Sequence, residues 1–268
     1  MCGIAGYVGR APAASVERMV GTMCGLLAHR GPDHAGVKVV ERAGLAFGVG
    51  AVRLKVRDLS AAGNQPMAGE GERHWIVYNG EVYNSESIRA ELEARGHVHC
   101  SRADTETVLH GFEEWGVDVL RRLDGMFAFA VVDGADGVVT IARDRMGIKP
   151  LYYTLRDGAL LFASELKALV RAAPIPLDLD PIALDLYLAL GYVPVPHCLV
   201  AGVRKLPAGS VLTFDGRDLR IRQYWSPAEA IARADRASRP TGLVELTRAT
   251  VERAIRGARQ FSAGEAGR

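Results

Sequence analysis

The feature that most constrains the fold is an apolar segment that begins at the third residue of the chain. Residues 3–8 read Gly-Ile-Ala-Gly-Tyr-Val, in which small and apolar groups alternate. This pattern predicts a buried β-strand. Cys2 therefore comes directly before a predicted buried strand, almost at the start of the chain.

Later segments predict a layered domain. Helical spacing of apolar residues predicts helices over residues 14–28, 84–95, 104–116, 165–170, 182–190 and 243–258. Apolar or β-branched runs predict two strands within residues 36–57 and further strands over 74–78, 127–132, 138–143, 151–154, 159–163, 211–214 and 219–224. Short turns such as Asp133-Gly134 and Asp215-Gly216 join several of them. Many short, mainly antiparallel strands grouped with a few helices indicate an α+β fold.

Length and composition exclude several classes of protein. The chain has 268 residues, of which 49% are hydrophobic, and a formal net charge of +2. This is enough for one large domain, or one domain plus a fragment, with a sizeable core. The balanced charge gives no reason to expect nucleic acid or an anionic membrane as a partner. No apolar run approaches the roughly 20 residues that span a bilayer, and the first residues do not resemble a secretory signal.

The four cysteines, Cys2, Cys24, Cys100 and Cys198, are widely and irregularly spaced. None of them belongs to a CxxC pair, so the sequence predicts no metal site. Reduced thiols in the cytoplasm suit a chain of this length without a secretory signal. Three of the cysteines are interpreted as small buried apolar residues, whereas Cys2 is set apart by its position.

Cys2 can act as a nucleophile once Met1 is removed. A small second residue permits that removal, which leaves Cys2 with both a thiol and a free α-amine. The neutral amine can accept the thiol proton, directly or through a water, and so activate the nucleophile. The thiolate can then attack a carboxamide carbon and form a thioester with release of ammonia. The alternative is that Cys2 is merely a small residue near the terminus.

Other residues suit the binding of an amide substrate that is also an amino acid. Asn79-Gly80 offers a side-chain amide and a backbone N–H to one oxyanion, although this dipeptide alone is typical of a hairpin turn. Arg53 suits a carboxylate, because a guanidinium forks onto two oxygens. Glu81 and Asp104 suit an ammonium group. A surface charge or a local ion pair is the alternative for each charged residue.

A series of short motifs runs through the chain in order. They are Met-Cys-Gly-Ile-Ala-Gly at 1–6, His-Arg-Gly-Pro-Asp at 29–33, Arg-Leu at 53–54, Gln-Pro-Met at 65–67, Asn-Gly-Glu-Val-Tyr-Asn at 79–84, Asp-Thr-Glu at 104–106, Leu-Asp-Gly-Met-Phe-Ala-Phe-Ala at 123–130, Arg-Asp-Arg-Met-Gly-Ile-Lys-Pro-Leu-Tyr-Tyr at 143–153 and Ala-Ser-Glu-Leu-Lys-Ala-Leu at 163–169. The ordered set covers about residues 1–225 and resembles the amino-terminal glutaminase domain of glutamine-dependent asparagine synthetases. These domains are class II glutamine amidotransferases of the N-terminal-nucleophile type.

The resemblance implies a four-layer αββα fold, with two antiparallel sheets between helix layers. It also implies roles for the residues that match the motifs. It assigns the nucleophile to Cys2, the oxyanion hole to Asn79 and Gly80, the carboxylate of L-glutamine to Arg53, Leu54, Val56 and Arg57, and its amino group to Glu81 and Asp104. The matching residues Arg143, Asp144 and Gly147 are expected to shape the domain rather than to touch glutamine.

The resemblance divides the chain into a glutaminase domain over residues 1–225 and a linker with a possible first helix of a synthetase domain over residues 226–268. In the family, the synthetase domain binds ATP and carries a Ser-Gly-Gly-x-Asp-Ser loop, which this sequence does not contain. ATP and Mg²⁺ are therefore expected only for a synthetase domain, and no cofactor is expected in this chain. The apolar stripe on 243–258 is expected either to contact a partner or to pack on its own domain.

Three interpretations stay open. The first is a glutaminase that supplies ammonia to a synthetase domain or subunit for asparagine synthesis. The second is a non-catalytic docking or regulatory module for a separate synthetase. The third is the glutaminase part of an amidotransferase that amidates another carboxylate.

Overall fold

The predicted strand at the start of the chain forms, and it lies in the middle of a sheet. The structure, a computed structural model, describes residues 1–234. In this structure β1 (Gly3–Gly9) pairs antiparallel with β3 (Leu45–Arg53) on one side and with β9 (Ala159–Ala163) on the other. All of β1 is buried, which explains its run of small and apolar side chains.

The strands form two sheets in which every pair is antiparallel. The remaining strands are β2 (His34–Arg42), β4 (Met67–Ala68), β5 (His74–Val82), β6 (Gly125–Asp133), β7 (Val138–Arg143), β8 (Tyr152–Arg156), β10 (Arg204–Lys205), β11 (Ser210–Phe214) and β12 (Leu219–Gln223). Sheet A has the strand order β10-β8-β9-β1-β3-β2. Sheet B has the order β12-β11-β7-β6-β5-β4.

Helices cover the outer face of each sheet. Among residues 1–234 they are α1 (Ala13–Leu27), α2 (Ser85–Ala94), α3 (Asp104–Trp115), α4 (Val119–Arg122), α5 (Leu166–Ala172), α6 (Pro181–Leu190) and α7 (Pro227–Ala234). One apolar cluster joins sheet A to α1 and α5, and another joins sheet B to α2, α3 and α4. The order of layers is therefore α1 and α5, sheet A, sheet B, then α2, α3 and α4.

The central core lies between the two sheets. Sheet A contributes side chains such as Ile4, Phe47 and Phe162, and sheet B contributes Val77 and Leu212, all with no exposed surface. Burying each large apolar side chain stabilises the fold by about 1.5–3 kcal/mol. This core fixes how one sheet lies on the other.

The predicted α+β fold and its four-layer αββα arrangement are confirmed, and the predicted helices and strands within residues 1–234 form with small shifts at their ends. One difference matters for the site, because β5 continues through Asn79-Gly80 to Val82 and pairs with β6 along its whole length. The hairpin-turn interpretation of Asn79-Gly80 is therefore wrong. The predicted helix at 243–258 lies outside the described residues. No helix within the described part of the chain is long and apolar enough to cross a membrane.

We expect truncation of Leu212 to test the central core. Leu212→Ala should lower the free energy of unfolding by about 2–5 kcal/mol, because the buried methyl groups leave a cavity between the sheets. Leu188→Ala is the matched control, since Leu188 lies on α6 with 75% of its surface exposed; its cost should stay below about 1 kcal/mol. Denaturant unfolding of both variants measures the difference. Equal costs would contradict this description of the core.

Candidate active site

One pocket collects the residues that the sequence singles out. Its volume is about 260 Å³. The predicted residues that line it are Cys2, Arg53, Leu54, Val56, Arg57, Asn79, Gly80, Glu81 and Asp104. No predicted site residue lies elsewhere, although these residues come from both sheets, from the loop after β3 and from the start of α3.

The register of β1 places Cys2 in this pocket. Gly3 pairs with Val52, so Cys2 lies beside the end of β3, where Arg53 is the last strand residue. The Cys2 Sγ lies 3.9 Å from the Leu54 carbonyl oxygen, a long contact for a thiol donor. The Cys2 carbonyl accepts a hydrogen bond from Arg30 Nε at 2.9 Å. Cys2 is thus held by a hydrogen bond to its carbonyl and by the pairing of Gly3 next to it, while the residue stays partly exposed.

Arg30, from the His-Arg-Gly-Pro-Asp motif, is itself anchored by Glu165. Its Nη1 donates to Glu165 Oε1 at 2.8 Å, and His29 Nε2 lies 3.0 Å from the same oxygen. Burial raises the pKa of Glu165, but hydrogen bonds from Arg30, His29 and Lys167 outweigh it and lower the pKa to about 2. Glu165 is therefore ionised at neutral pH and steadies the side chain that holds Cys2.

The Arg53 guanidinium is fixed before any ligand binds. Nη1 donates to the Ser60 carbonyl at 3.0 Å and to Asn64 Oδ1 at 2.9 Å, and Nη2 donates to the Asp58 carbonyl. Only 5% of Arg53 is exposed. A Cβ on Gly63 would lie 2.3 Å from Nη2, so a side chain there would push the guanidinium away from this position. A guanidinium has five N–H donors. In Arg53 the Nε–H and one of the two N–H groups of Nη2 have no partner among the described residues.

Two carboxylates face the same space from the other side. Asp104, the first residue of α3, accepts hydrogen bonds from Tyr78 Oη at 2.8 Å and from the Val82 N–H at 2.9 Å through one oxygen. Glu81 lies 3.6 Å from Arg57 Nε. Burial raises the pKa of Glu81, the Arg57 charge opposes the rise, and the Asp104 charge adds to it. The two acids thus repel each other, and a cation between them would relieve the repulsion.

Asn79 presents a polar group that the protein leaves unpaired. The residue is 1% exposed, yet its side-chain Nδ2 has no hydrogen-bond partner within residues 1–234. Leaving a buried donor unpaired costs about 1–3 kcal/mol, so such a group calls for an explanation. Gly80 follows it inside β5, where a Cβ would lie 2.6 Å from the Met126 carbonyl and 2.7 Å from Phe127 Cβ. The backbone can pass this close to β6 only without a side chain at position 80.

Lys149 also lines the pocket, and sequence reasoning did not single it out. Burial lowers the pKa of its ammonium, the Arg30 charge lowers it further, and Glu81, Asp144 and Cys2 raise it. The supporting loop is held by Asp144, which is fully buried and accepts the N–H groups of Ile148 and Lys149 at 2.9 and 3.0 Å. The only sequence signal for Lys149 was its place in the Arg-Asp-Arg-Met-Gly-Ile-Lys motif. The position of a residue within that motif does not reveal whether its side chain faces the pocket.

Arg143 supports the same loop, as expected, and does not line the pocket. Its guanidinium donates to the carbonyls of Gly147, Lys149 and Leu206 at 2.5–2.7 Å. Gln65 has a similar supporting role at the pocket wall, since it accepts the Tyr78 N–H at 2.6 Å. Of these contacts only the one from Arg143 to Leu206 joins segments far apart in the chain, 63 positions from each other.

The ionised state of Glu165 predicts a pH-dependent contribution to stability. Its folded pKa of about 2 lies below the ordinary glutamate value of 4.5, so the stabilisation is present above about pH 4.5 and is lost as pH falls toward 2. Glu165→Gln should lower the free energy of unfolding by about 1 kcal/mol near pH 7, a small value because solvent screens this partly exposed group.

The free energies of unfolding of the parent and of Glu165→Gln should therefore converge as the pH falls from about 4.5 toward 2. Glu41→Gln is the control, since Glu41 is exposed on β2 and has no ion pair among the described residues. A constant difference between parent and Glu165→Gln across this range would contradict the assignment.

Comparison with solved structures supports the fold. A glutamine phosphoribosylpyrophosphate amidotransferase from B. subtilis superposes with a TM-score of 0.60 at 18% identity, covering 84% of this chain and 49% of that one. A second solved structure, described as the allosteric regulatory enzyme of purine biosynthesis, gives a TM-score of 0.60 at 19% identity with the same coverage. At this identity the likeness concerns the fold alone.

Comparison with curated proteins concerns the sequence. Asparagine synthetase [glutamine-hydrolyzing] 1 of Bacillus subtilis is 37% identical over 230 residues, which cover 84% of this chain and 35% of that protein. A putative asparagine synthetase [glutamine-hydrolyzing] 2 of Methanocaldococcus jannaschii is 32% identical over 243 residues, covering 84% of this chain and 46% of that protein. The chain thus spans less than half the length of these relatives. Residues 1–225 match the family described as "Glutamine amidotransferase domain", and the chain belongs to that family.

Proposed function

We propose that this chain hydrolyses L-glutamine to glutamate and ammonia, with Cys2 as the nucleophile. The observation that carries the proposal is the buried, unpaired Asn79 Nδ2 in the same pocket as the Cys2 thiol. An N–H donor that the protein leaves free suits an oxygen that becomes negatively charged only during the reaction. A thiol without such a donor nearby would have little means of stabilising a tetrahedral intermediate.

The proposed reaction begins with removal of Met1. The freed α-amine of Cys2 accepts the thiol proton, and the thiolate attacks the amide carbon of glutamine. The resulting tetrahedral oxyanion accepts hydrogen bonds from Asn79 Nδ2 and the Gly80 N–H. Collapse of this intermediate breaks the C–N bond, and the proton held by the α-amine passes to the leaving ammonia. Water activated by the same amine then hydrolyses the thioester and releases glutamate.

The rest of the pocket suits the two charged groups of a free amino acid. The unused Nε–H and Nη2–H donors of Arg53 lie side by side on the guanidinium, the arrangement that binds a carboxylate through two oxygens. Leu54, Val56 and Arg57 form the wall next to it. The α-ammonium of glutamine is assigned to Glu81 and Asp104, whose mutual repulsion it would remove. Lys149 is assigned a place near the reacting thiol, where a positive charge favours a thiolate.

We further propose that the ammonia is consumed by an ATP-dependent synthetase part, as the names of the relatives suggest for asparagine synthesis. Residues 1–225 are the proposed glutaminase domain, and residues 226–268 the start of a linker toward that part. ATP and Mg²⁺ belong to the synthetase part in this proposal. The carboxylate that accepts the ammonia is assigned by similarity to these relatives alone. A reducing cytoplasm suits a reaction that depends on a free Cys2 thiol.

The proposal predicts that Cys2→Ala abolishes glutamate release from glutamine, because no other group can form the thioester. Cys100→Ala is the matched control, since Cys100 is an exposed free cysteine outside the pocket, and it should keep the parent rate. Glutamate release, together with the intact mass that reports Met1 removal, measures the effect. Parent-like turnover by Cys2→Ala would exclude Cys2 as the nucleophile.

The same assay separates the enzyme from a non-catalytic docking module. A docking module would bind its synthetase partner with no glutamate release from the parent, alone or in complex. A protein whose Met1 has been removed, and which is still inactive in both states, would favour that second function.

Asn79→Leu tests the oxyanion hole. Loss of the Nδ2 donor should lower kcat by about 10²–10³-fold with KM changed only a few-fold, because the donor acts on the intermediate. The free energy of unfolding should not fall substantially, since Nδ2 has no partner in the folded protein to lose. Steady-state kinetics and denaturant unfolding on the same preparation check both expectations. An unchanged kcat in a folded variant would contradict the role.

A further inference from the structure

A group of histidine and glutamate side chains lies outside the pocket, on the helix-covered face of sheet B. Glu70 comes from a short turn before β5, His97 from the segment after α2, and His110 from α3. One ligand atom from each lies within 4.8 Å of the other two. His97 Nδ1 is 3.1 Å and His110 Nδ1 is 3.9 Å from Glu70 Oε1.

Glu113 adds an oxygen as a fourth ligand atom. It lies one turn after His110 on α3, and its Oε2 is 2.8 Å from His110 Nδ1. Its other oxygen accepts the Glu70 N–H at 2.9 Å and so holds the turn against the helix. Ligand atoms bonded to a tetrahedral Zn²⁺ at about 2.0–2.1 Å are roughly 3.3 Å apart, within the range of spacings seen here.

The charge of the group lacks an ordinary counterion. Within residues 1–234, none of the three carboxylates of Glu70, Glu106 and Glu113 forms an ion pair with lysine or arginine. Their ion-pair partners are the histidines His74, His97 and His110. Carboxylates are rarely brought together in a protein without compensating positive charge. A divalent cation, or protons on the histidines, must therefore balance them.

The Nε2 atoms of the two histidines, which point away from the group, favour a bound metal ion over protonated histidines as the source of positive charge. His97 Nε2 is 3.4 Å from Glu114 Oε2, and His110 Nε2 is 3.8 Å from Glu106 Oε1. Each histidine thus directs Nδ1 inward and Nε2 toward a second carboxylate. Histidines that bind a metal through one nitrogen characteristically donate the other N–H to a carboxylate or carbonyl, which fixes the ring. His97 makes this second contact with Glu114, whereas His110 Nε2 has no partner within hydrogen-bond distance among the described residues.

We propose that Glu70, His97, His110 and Glu113 bind a Zn²⁺ ion. Two imidazoles with carboxylate oxygens are a ligand set that suits zinc. Glu70 is 53% exposed at its side chain, so an ion can enter from solvent. The site ties the turn before β5 and the segment after α2 to α3, and it lies outside the pocket. Its role is therefore structural, since none of its four ligands lines the pocket.

This proposal departs from the sequence-based expectation of no metal site. That expectation rested on cysteine spacing, whereas these ligands are scattered over residues 70–113 and share no spacing motif. Only the packing of α3 against the turn before β5 brings them together.

The test titrates the full chain, first treated with a chelator, with Zn²⁺ and follows binding by calorimetry and by the melting temperature. Expected results are one Zn²⁺ per chain, a raised melting temperature, and at least tenfold weaker binding by Glu70→Gln and His97→Gln. Glu72→Gln is the matched control, because Glu72 is exposed in the same turn and is not a ligand. It should bind as the parent does.

Because thiols also bind zinc, the titration is repeated on Cys2→Ala and Cys100→Ala, which should keep the site. Co²⁺ in place of Zn²⁺ should show no thiolate charge-transfer absorption. Absence of saturable stoichiometric binding would overturn the proposal, and the histidines would then be the protonated partners of the carboxylates. Binding that survives Glu70→Gln and His97→Gln but is lost without either cysteine would overturn it as well. Neither readout depends on glutaminase activity.

Discussion

The pairing of β1 with β3 is the interaction on which the pocket depends. It places Gly3 opposite Val52, so Cys2 and Arg53 leave sheet A at the same end. Space there is tight, since a Cβ on Gly3 would lie 3.0 Å from a Val52 methyl group. A chain terminus ordinarily frays. Here the hydrogen bonds between β1 and β3 hold the start of the chain in place. The conformational entropy of Cys2 is therefore lost once, during folding, and not each time a substrate binds.

Sheet B supplies the second half of the pocket, because successive side chains of β5 point to opposite faces of the sheet. Val77 points into the core between the sheets, and Tyr78 points toward the helices. Asn79 therefore returns to the inner face, where the apolar core ends and sheet A presents Cys2. A shift of β5 by one residue would turn the amide to the helix side. The packing of the two sheets thus sets the relation between thiol and amide.

Sequence reasoning predicted what local pattern and motif order determine: the strands, the helices, and the residues that gather in the pocket. It did not predict contacts that depend on how distant segments pack. The Arg30–Glu165 pair spans 135 positions, and its role in holding Cys2 follows only from the fold. Asn79-Gly80 shows that a local pattern can also mislead. The dipeptide tends to form a turn, but the pairing of β5 with β6 keeps it in a strand. Lys149 lies within a recognised motif, but its direction is set by the buried Asp144.

Several buried side-chain nitrogens within residues 1–234 have no hydrogen-bond partner. Asn79 Nδ2 and His110 Nε2 are two of them. Helix α3 links them, since it begins with Asp104 in the pocket and carries His110 six residues later, about 9 Å along its axis. A cation bound near His110 would hold α3 against the turn before β5, the strand that carries Asn79. The position of Asp104 relative to Asn79 would then rest on metal ligation as well as on apolar packing.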